Sequence, residues 1–171
     1  MEIAMLEAEP DAATAERLAR IVNDAYAEGE KGLWREGMRR TSAAEMAGLG
    51  GKLAVARRGD HILGSVRVQP FAPGLFQLGM LAADPAERGR GVGRELVRYA
   101  EEHARAAGAP AMRLELLVPL DGEHPVKEFL RGWYTRIGYR QVGTESLAGD
   151  HPELSPLLAV PCHLLILHKQ L

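Results

Sequence analysis

Apolar residues recur along the chain at two different periods, and the changes between them outline the elements. Leu18, Ile21, Val22, Ala25 and Tyr26 fall at helical spacing behind Asp11, a residue type that caps helix starts. A short strand, Ile3 to Glu7, is predicted ahead of this helix. Residues 28–40 are polar and hold three glycines, which reads as a loop or a short broken helix. Ser42-Ala43-Ala44-Glu45 is a capping-box pattern opening a second short helix that ends at the glycines between 48 and 51. The period then falls to that of strands. Lys52 to Arg57 and Ile62 to Val68 flank Arg58-Gly59-Asp60 and make a hairpin. Pro70 and Pro73 are expected to break that run, and Leu75 to Ala83 supplies the next strand. Gly79 inside it suggests a bulge or a close backbone approach.

Asp84-Pro85 closes this strand, and a glycine-rich turn, Arg88 to Gly93, follows at once. Val92, Leu96, Val97, Ala100, Ala104 and Ala107 then predict a helix ended by Gly108. Met112 to Val118 is a strand. Pro125 to Ile137 is a helix with proline near its first turn and Gly138 past its end. Tyr139 to Gly143 and Cys162 to His168 are the last strands, joined by a long connection from Glu145 to Pro161. The expected fold class is α/β (α+β). It would be a single mixed, mostly antiparallel sheet of about six to seven strands with helices on both faces, all in one domain over residues 1–171.

Composition narrows the function classes. The 171 residues are 46% hydrophobic and 26% charged, which suits a packed domain. A net charge of -2 argues against nucleic acid as the main partner, because the phosphate backbone needs a basic face. The single cysteine, Cys162, has no partner for a disulfide or a zinc pair. His163 and His168 form no metal cluster with it, and Ser65 lacks the G-x-S-x-G elbow of serine hydrolases. No apolar run approaches the about 20 residues that span a bilayer, and the acidic start does not read as a secretory leader. A soluble cytoplasmic protein without a membrane partner is the expectation.

The informative segment is Arg88-Gly89-Arg90-Gly91-Val92-Gly93-Arg94 between a strand and an amphipathic helix. The first N–H groups of a helix lack internal partners and carry partial positive charge. Glycines let a ligand reach them, and three arginines add charge at the same place. A pyrophosphate suits this chemistry. The dinucleotide pattern G-x-G-x-x-G fails, since its third glycine would fall on Arg94 or Leu96, and no Gly-Lys-Ser/Thr follows for a P-loop. What fits is R-x-x-G-x-G, as Arg88-x-x-Gly91-x-Gly93, and with it the chain resembles the GNAT acetyltransferase superfamily. The resemblance covers residues 52–143 and, more weakly, the helical N-terminal part.

That resemblance implies acetyl-CoA as cosubstrate, without a metal, and transfer of its acetyl group to an amine. It implies that Arg88, Gly89, Arg90, Gly91, Val92, Gly93 and Arg94 hold the pyrophosphate. Leu81, Ala82 and Ala83 would hydrogen-bond the pantetheine arm, with the Leu81 N–H facing the thioester oxygen. The stretch Phe129 to Tyr139 looks like the family's Y-x-x-x-G-(F/Y) helix end. On it Tyr134 takes the place of the tyrosine that protonates the leaving thiolate. The chain departs from the pattern twice. Lys127 replaces an asparagine seven residues before the tyrosine, and is expected to reach the cofactor phosphates instead. Gln77, eleven residues before Arg88, replaces a glutamate base.

For the acceptor side, Glu115 alternates with Leu114 and Leu116, so it faces away from both and is a candidate base or ammonium ligand. Glu28, Glu30 and Trp34 lie in the loop that in the family borders the acceptor, where a carboxylate beside an aromatic surface suits a cationic amine. His124 is a further imidazole near the last long helix. The acceptor is a small-molecule or peptide amine, and the C-terminal strand offers an edge for a homodimer. A catalytically silent acyl-CoA-binding regulatory module is the alternative, favoured by Gln77. A nucleotide-binding protein using the same turn is a third reading.

Overall fold

A computed structural model describes residues 1–171, and the chain divides into two compact units. The first holds Met1–Ala27, Arg39–Met112 and Leu171. Its strands are β1 (Glu2–Met5), β2 (Leu53–Arg58), β3 (His61–Ala72) and β4 (Leu75–Ala83), and its helices α1 (Ala12–Gly29), α2 (Ala43–Ala47) and α3 (Val92–Ala106). Asp11 caps α1 by accepting from the Thr14 N–H at 2.8 Å. The capping box at α2 is complete: the Glu45 N–H donates to Ser42 Oγ at 3.2 Å and the Ser42 N–H to Glu45 Oε2 at 2.9 Å. α3 ends at Ala106, one residue before the last alanine of the apolar pattern, and Ala107 is exposed as its C-cap.

Leu18, Ile21 and Val22 of α1 pack with Met46 of α2 onto Leu53 and Val55 of β2, Ile62 of β3 and Ala82 of β4. The alternation of β2 sends Ala54 and Ala56 to the opposite face, where α3 lies against β2, β3 and β4. Small side chains let that helix come close. Gly64 carries this furthest. It pairs with Ala56 and Ala83, and a Cβ there would stand 2.5 Å from the Ala82 carbonyl oxygen and 3.1 Å from Val92 Cγ1.

β3 does not stop at Pro70 as the prolines suggest. It continues to Ala72, with Pro70 opposite Phe76. β2 ends its pairing at the Val68 N–H, which donates to the Lys52 carbonyl at 2.8 Å. Beyond that point β3 has β4 on one side only, so a residue without an N–H costs nothing on the other. In β4 the register skips between Ser65↔Ala82 and Arg67↔Gly79, leaving Met80 and Leu81 opposite Val66. Met80 takes up the extra residue at φ 49°, in the left-handed region. The bulge lies beside Gly79, where the sequence suggested one.

The second unit holds Glu28–Met38 and Arg113–Gln170. It contains α4 (Pro125–Arg136), β6 (Arg140–Ser146), α5 (Leu147–Asp150) and β7 (Cys162–Gln170), and receives β5 (Ala111–Pro119), whose first two residues belong to the first unit. β6 runs past Gly143 by means of a register shift between Gln141 and Gly143, and pairs with β7 as far as Ser146↔His163. Leu164 to Leu167 of β7 are buried, whereas every residue of β6 is exposed. The sheet order is β1-β2-β3-β4-β5-β7-β6, so the C-terminal strand β7 lies between β5 and β6 and does not offer the edge expected of it for a homodimer; β6 is the edge strand.

Gly64→Ala should lower the urea midpoint without changing the slope, at a cost of about 1–3 kcal/mol from overpacking.

Candidate functional site

Within the first unit, β4 delivers the glycine turn to the start of α3. Asp84 fixes the junction in three ways. Its N–H donates to the Leu63 carbonyl at 2.8 Å, its Oδ1 accepts from the Ala86 N–H at 3.0 Å, and its other oxygen pairs with Arg17 of α1. A single 3-10 turn, Pro85–Glu87, follows. Gly89 and Gly91 then adopt φ of 77° and 80°, which side chains rarely tolerate. Gly91 is the N-cap of α3 and offers no side-chain hydrogen bond to it. The first N–H groups of α3 therefore have neither an intrahelical nor a capping partner.

The turn is open. A Cβ built on Gly89, Gly91 or Gly93 meets nothing within 4 Å. Arg88, Arg90 and Arg94 are all exposed around it. Arg90 shares Glu87 with Arg58, at 3.3 and 3.5 Å. Arg94 stands in the first turn of α3, where the helix dipole disfavours a cation. A positive side chain, bare amides and missing Cβ atoms all call for an anion at one place. Leu81, Ala82 and Ala83 come just before, with Ala82 and Ala83 paired to β3 and Leu81 in the bulge.

The second unit carries the other predicted residues. Tyr134 on α4 is buried, its ring 4.8 Å from that of Trp133 and edge-on to Tyr139 at 5.7 Å. Lys127, two turns earlier on the same face of α4, is buried as well. Its ammonium donates to Glu30 Oε1 at 2.7 Å, and the Trp34 indole donates to Glu30 Oε2 at 2.5 Å. Glu30 and Lys127 thus neutralise one another, and Trp34 completes the carboxylate. The lysine expected at the cofactor phosphates is spent on an interior ion pair instead. Glu28 is exposed near the end of α1. His124 caps the start of α4 and its Nε2 meets the Lys31 carbonyl at 3.0 Å.

Trp34 also anchors a backbone zipper. It forms an antiparallel bridge with Leu158, the Arg35 N–H donates to Leu157 at 2.9 Å, and the Ala159 N–H donates to Leu33 at 2.8 Å. Leu33, Leu117, Leu147, Leu164 and Ile166 pack beneath, with Trp34, Leu154 and Leu158 against them.

On β5, Glu115 is not a free strand carboxylate. It accepts from Arg113 Nη1 at 2.6 Å and meets His151 Nε2 at 3.1 Å. Burial pushes its carboxyl upward, but the hydrogen bonds and charges of Arg113 and His151 outweigh that and hold it below the usual range. A carboxylate so engaged is a weak proton acceptor. Arg113, itself buried, also donates to Glu145 at 2.7 Å. Neither Arg113 nor His151 stood out in the sequence. Arg113 shares the face of Glu115 by simple alternation, a signal that was present. His151 sits in an irregular connection that carries none.

The acetyltransferase (GNAT) family model matches residues 16–133. Among solved structures, an aminoglycoside 6'-N-acetyltransferase complexed with coenzyme A shares the fold with a TM-score of 0.73 at 17% identity, covering 99% of this chain and 97% of that one. The aminoglycoside 6'-N-acetyltransferase from Enterococcus faecium gives 0.70 at 16%, covering 99% and 97%. The ribosomal-protein-alanine N-acetyltransferase from Brucella melitensis gives 0.67 at 20%, with both chains covered completely, 100% and 100%. No curated protein sequence matches the chain.

Lys127→Met should destabilise the protein by about 3–5 kcal/mol, because it leaves the Glu30 carboxylate buried and unpaired. Adding Glu30→Gln should recover most of that loss in the same denaturation measurement.

Proposed function

Because the chain belongs to the acetyltransferase (GNAT) family, we propose that it moves an acetyl group from acetyl-CoA directly to the amine of an acceptor. The observation that carries this reading is the open, uncapped glycine turn at the start of α3. In this reading the amides of residues 89–94 hold the pyrophosphate, with Arg88, Arg90 and Arg94 balancing its charge. The Leu81 N–H, set by the bulge at Met80, steadies the thioester oxygen as negative charge develops on it. Tyr134 supplies the proton that the sulfur takes up as the C–S bond breaks. A phenol suits that task, since its ordinary pKa of about 10 lies near the about 8.5 of a thiol.

Direct transfer is favoured over a cysteine-bound acetyl group by the state of Cys162. Burial, and next the negative charge of Glu30, push its thiol up to about 11. It stays protonated and poorly nucleophilic near neutral pH. On the acceptor side, residues 28–38 and the zippered connection around Leu158 form the wall that receives a cationic amine. Glu28 provides negative charge there, and Trp34 an aromatic surface. Glu30 supports this wall from within, its own charge answered by Lys127. The acceptor class is a small-molecule or peptide amine. Kanamycin, spermidine and a peptide beginning with alanine are the first probes, prompted in part by the acceptors named for the structural neighbours.

Gly93→Glu separates folding from binding. Gly93 lies in regular helix with open space around its missing Cβ, and a carboxylate in the first turn favours the helix dipole. The variant should fold at least as stably as the parent yet lose acetyl-CoA affinity in calorimetry; normal affinity would refute the site. Tyr134→Phe should keep that affinity while turnover, followed by thiol release, falls by about 100-fold or more. Acetyl-CoA binding without thiol release from any amine would replace the enzyme with a silent binding module.

A further inference from the structure

A cationic acceptor must lose a proton before its nitrogen can attack. Gln77 is an amide and cannot take one. Glu115 is held by Arg113, and Glu30 by Lys127 and Trp34. His124 holds the Lys31 carbonyl through Nε2, and its Nδ1 is buried away from solvent. His151 differs from all of these. Its side chain is 30% exposed, so solvent and a ligand reach it, while Nε2 is held from inside by Glu115. An ionised carboxylate only accepts hydrogen bonds, so Nε2 carries the hydrogen and the neutral ring presents its lone pair at Nδ1. Outside Nδ1 stands the exposed Glu153 carboxylate at 3.8 Å, which favours an arriving ammonium group. Further charged groups stand behind Glu115: Arg113 on β5, which also holds Glu145 of β6, and Asp150 at the end of α5, which meets Glu145.

The placement follows the fold. Arg113, Glu115 and Leu117 share one face of β5 by alternation. Leu117 packs with Leu33, Trp34, Leu154 and Leu158, the residues beneath the backbone zipper. His151 lies in the same connection, its carbonyl accepting from the Leu154 N–H at 3.0 Å.

We infer that His151 is the proton acceptor for the incoming amine, with Glu115 as the positioning residue that fixes its tautomer. This rests on the transferase reading above. His151 Nδ1 takes one proton from the ammonium group. The freed nitrogen lone pair forms the new C–N bond, the second N–H proton leaves to solvent, and the C–S bond breaks with its electron pair on sulfur, which is protonated by Tyr134. The phenolate and the imidazolium regain and lose their protons through solvent.

The test measures the pH dependence of thiol release with the fastest acceptor among kanamycin, spermidine and the alanine peptide. His151→Gln should lower kcat/KM near pH 7 by about 100-fold and remove the acid-side inflection, with acetyl-CoA affinity unchanged. Glu115→Gln should lower kcat while leaving the amine KM and acetyl-CoA affinity near the parent values, because the ring is no longer fixed with Nδ1 outward; a merely structural role would not split them in this way. Free imidazole should restore part of the rate to His151→Ala. A His151→Gln protein with the parent rate and profile would overturn the assignment and leave the transferase intact. A parent protein that binds acetyl-CoA and turns over none of the three would remove the transferase reading and the base with it.

Discussion

The start of α3 is a deficit of negative charge built into the backbone. Its first amides have no side-chain cap, Gly91 having none to give, and Arg94 occupies a turn where cations are unwelcome. In most helices a serine or aspartate would settle this locally. The chain shows that it can do so: Asp11 caps α1 and Ser42 with Glu45 caps α2. α4 also begins without a side-chain cap, but Pro125 in its first turn leaves one amide fewer to satisfy, whereas α3 has no proline there. The fold supports the arrangement from behind, through Asp84 tied to Arg17 and Leu63, and through Gly64, whose missing side chain admits Val92 to the sheet.

The second unit handles charge in the opposite way, by enclosing it. Lys127 and Glu30 are among its most buried polar residues, and Arg113 is 3% exposed with carboxylates of β5 and β6 on its guanidinium. Such pairs give little net stability, since desolvation offsets most of the attraction. What they do is fix geometry. The Glu30 carboxylate ties α4 to the segment holding Trp34, and Glu115 ties β5 to the connection holding His151.

Much of this was legible in the sequence because it depends on local chemistry. Capping residues, hairpin turns and the R-x-x-G-x-G run announce themselves within a few positions. β3 passing through Pro70 was not legible, since a proline is tolerated there only because β2 has already ended. The bulge could be suspected from Gly79, but that Met80 takes the left-handed conformation is a matter of register with β3. Lys127 illustrates the larger gap. A lysine near a phosphate site invites a phosphate partner, and only the fold shows that Glu30, 97 positions away in sequence, claims it first. His151 was invisible for the same reason, as its meaning comes from a carboxylate on another element.

The zipper between residues 33–35 and 157–159 is made by main-chain groups. Bonds of that kind are indifferent to side-chain identity. Substitutions along either segment could therefore change what the surrounding surface welcomes while the two stretches stay joined. With the acceptor received there as proposed, a lineage that met a new compound would be able to alter its taste for it by small steps, without first rebuilding the scaffold beneath.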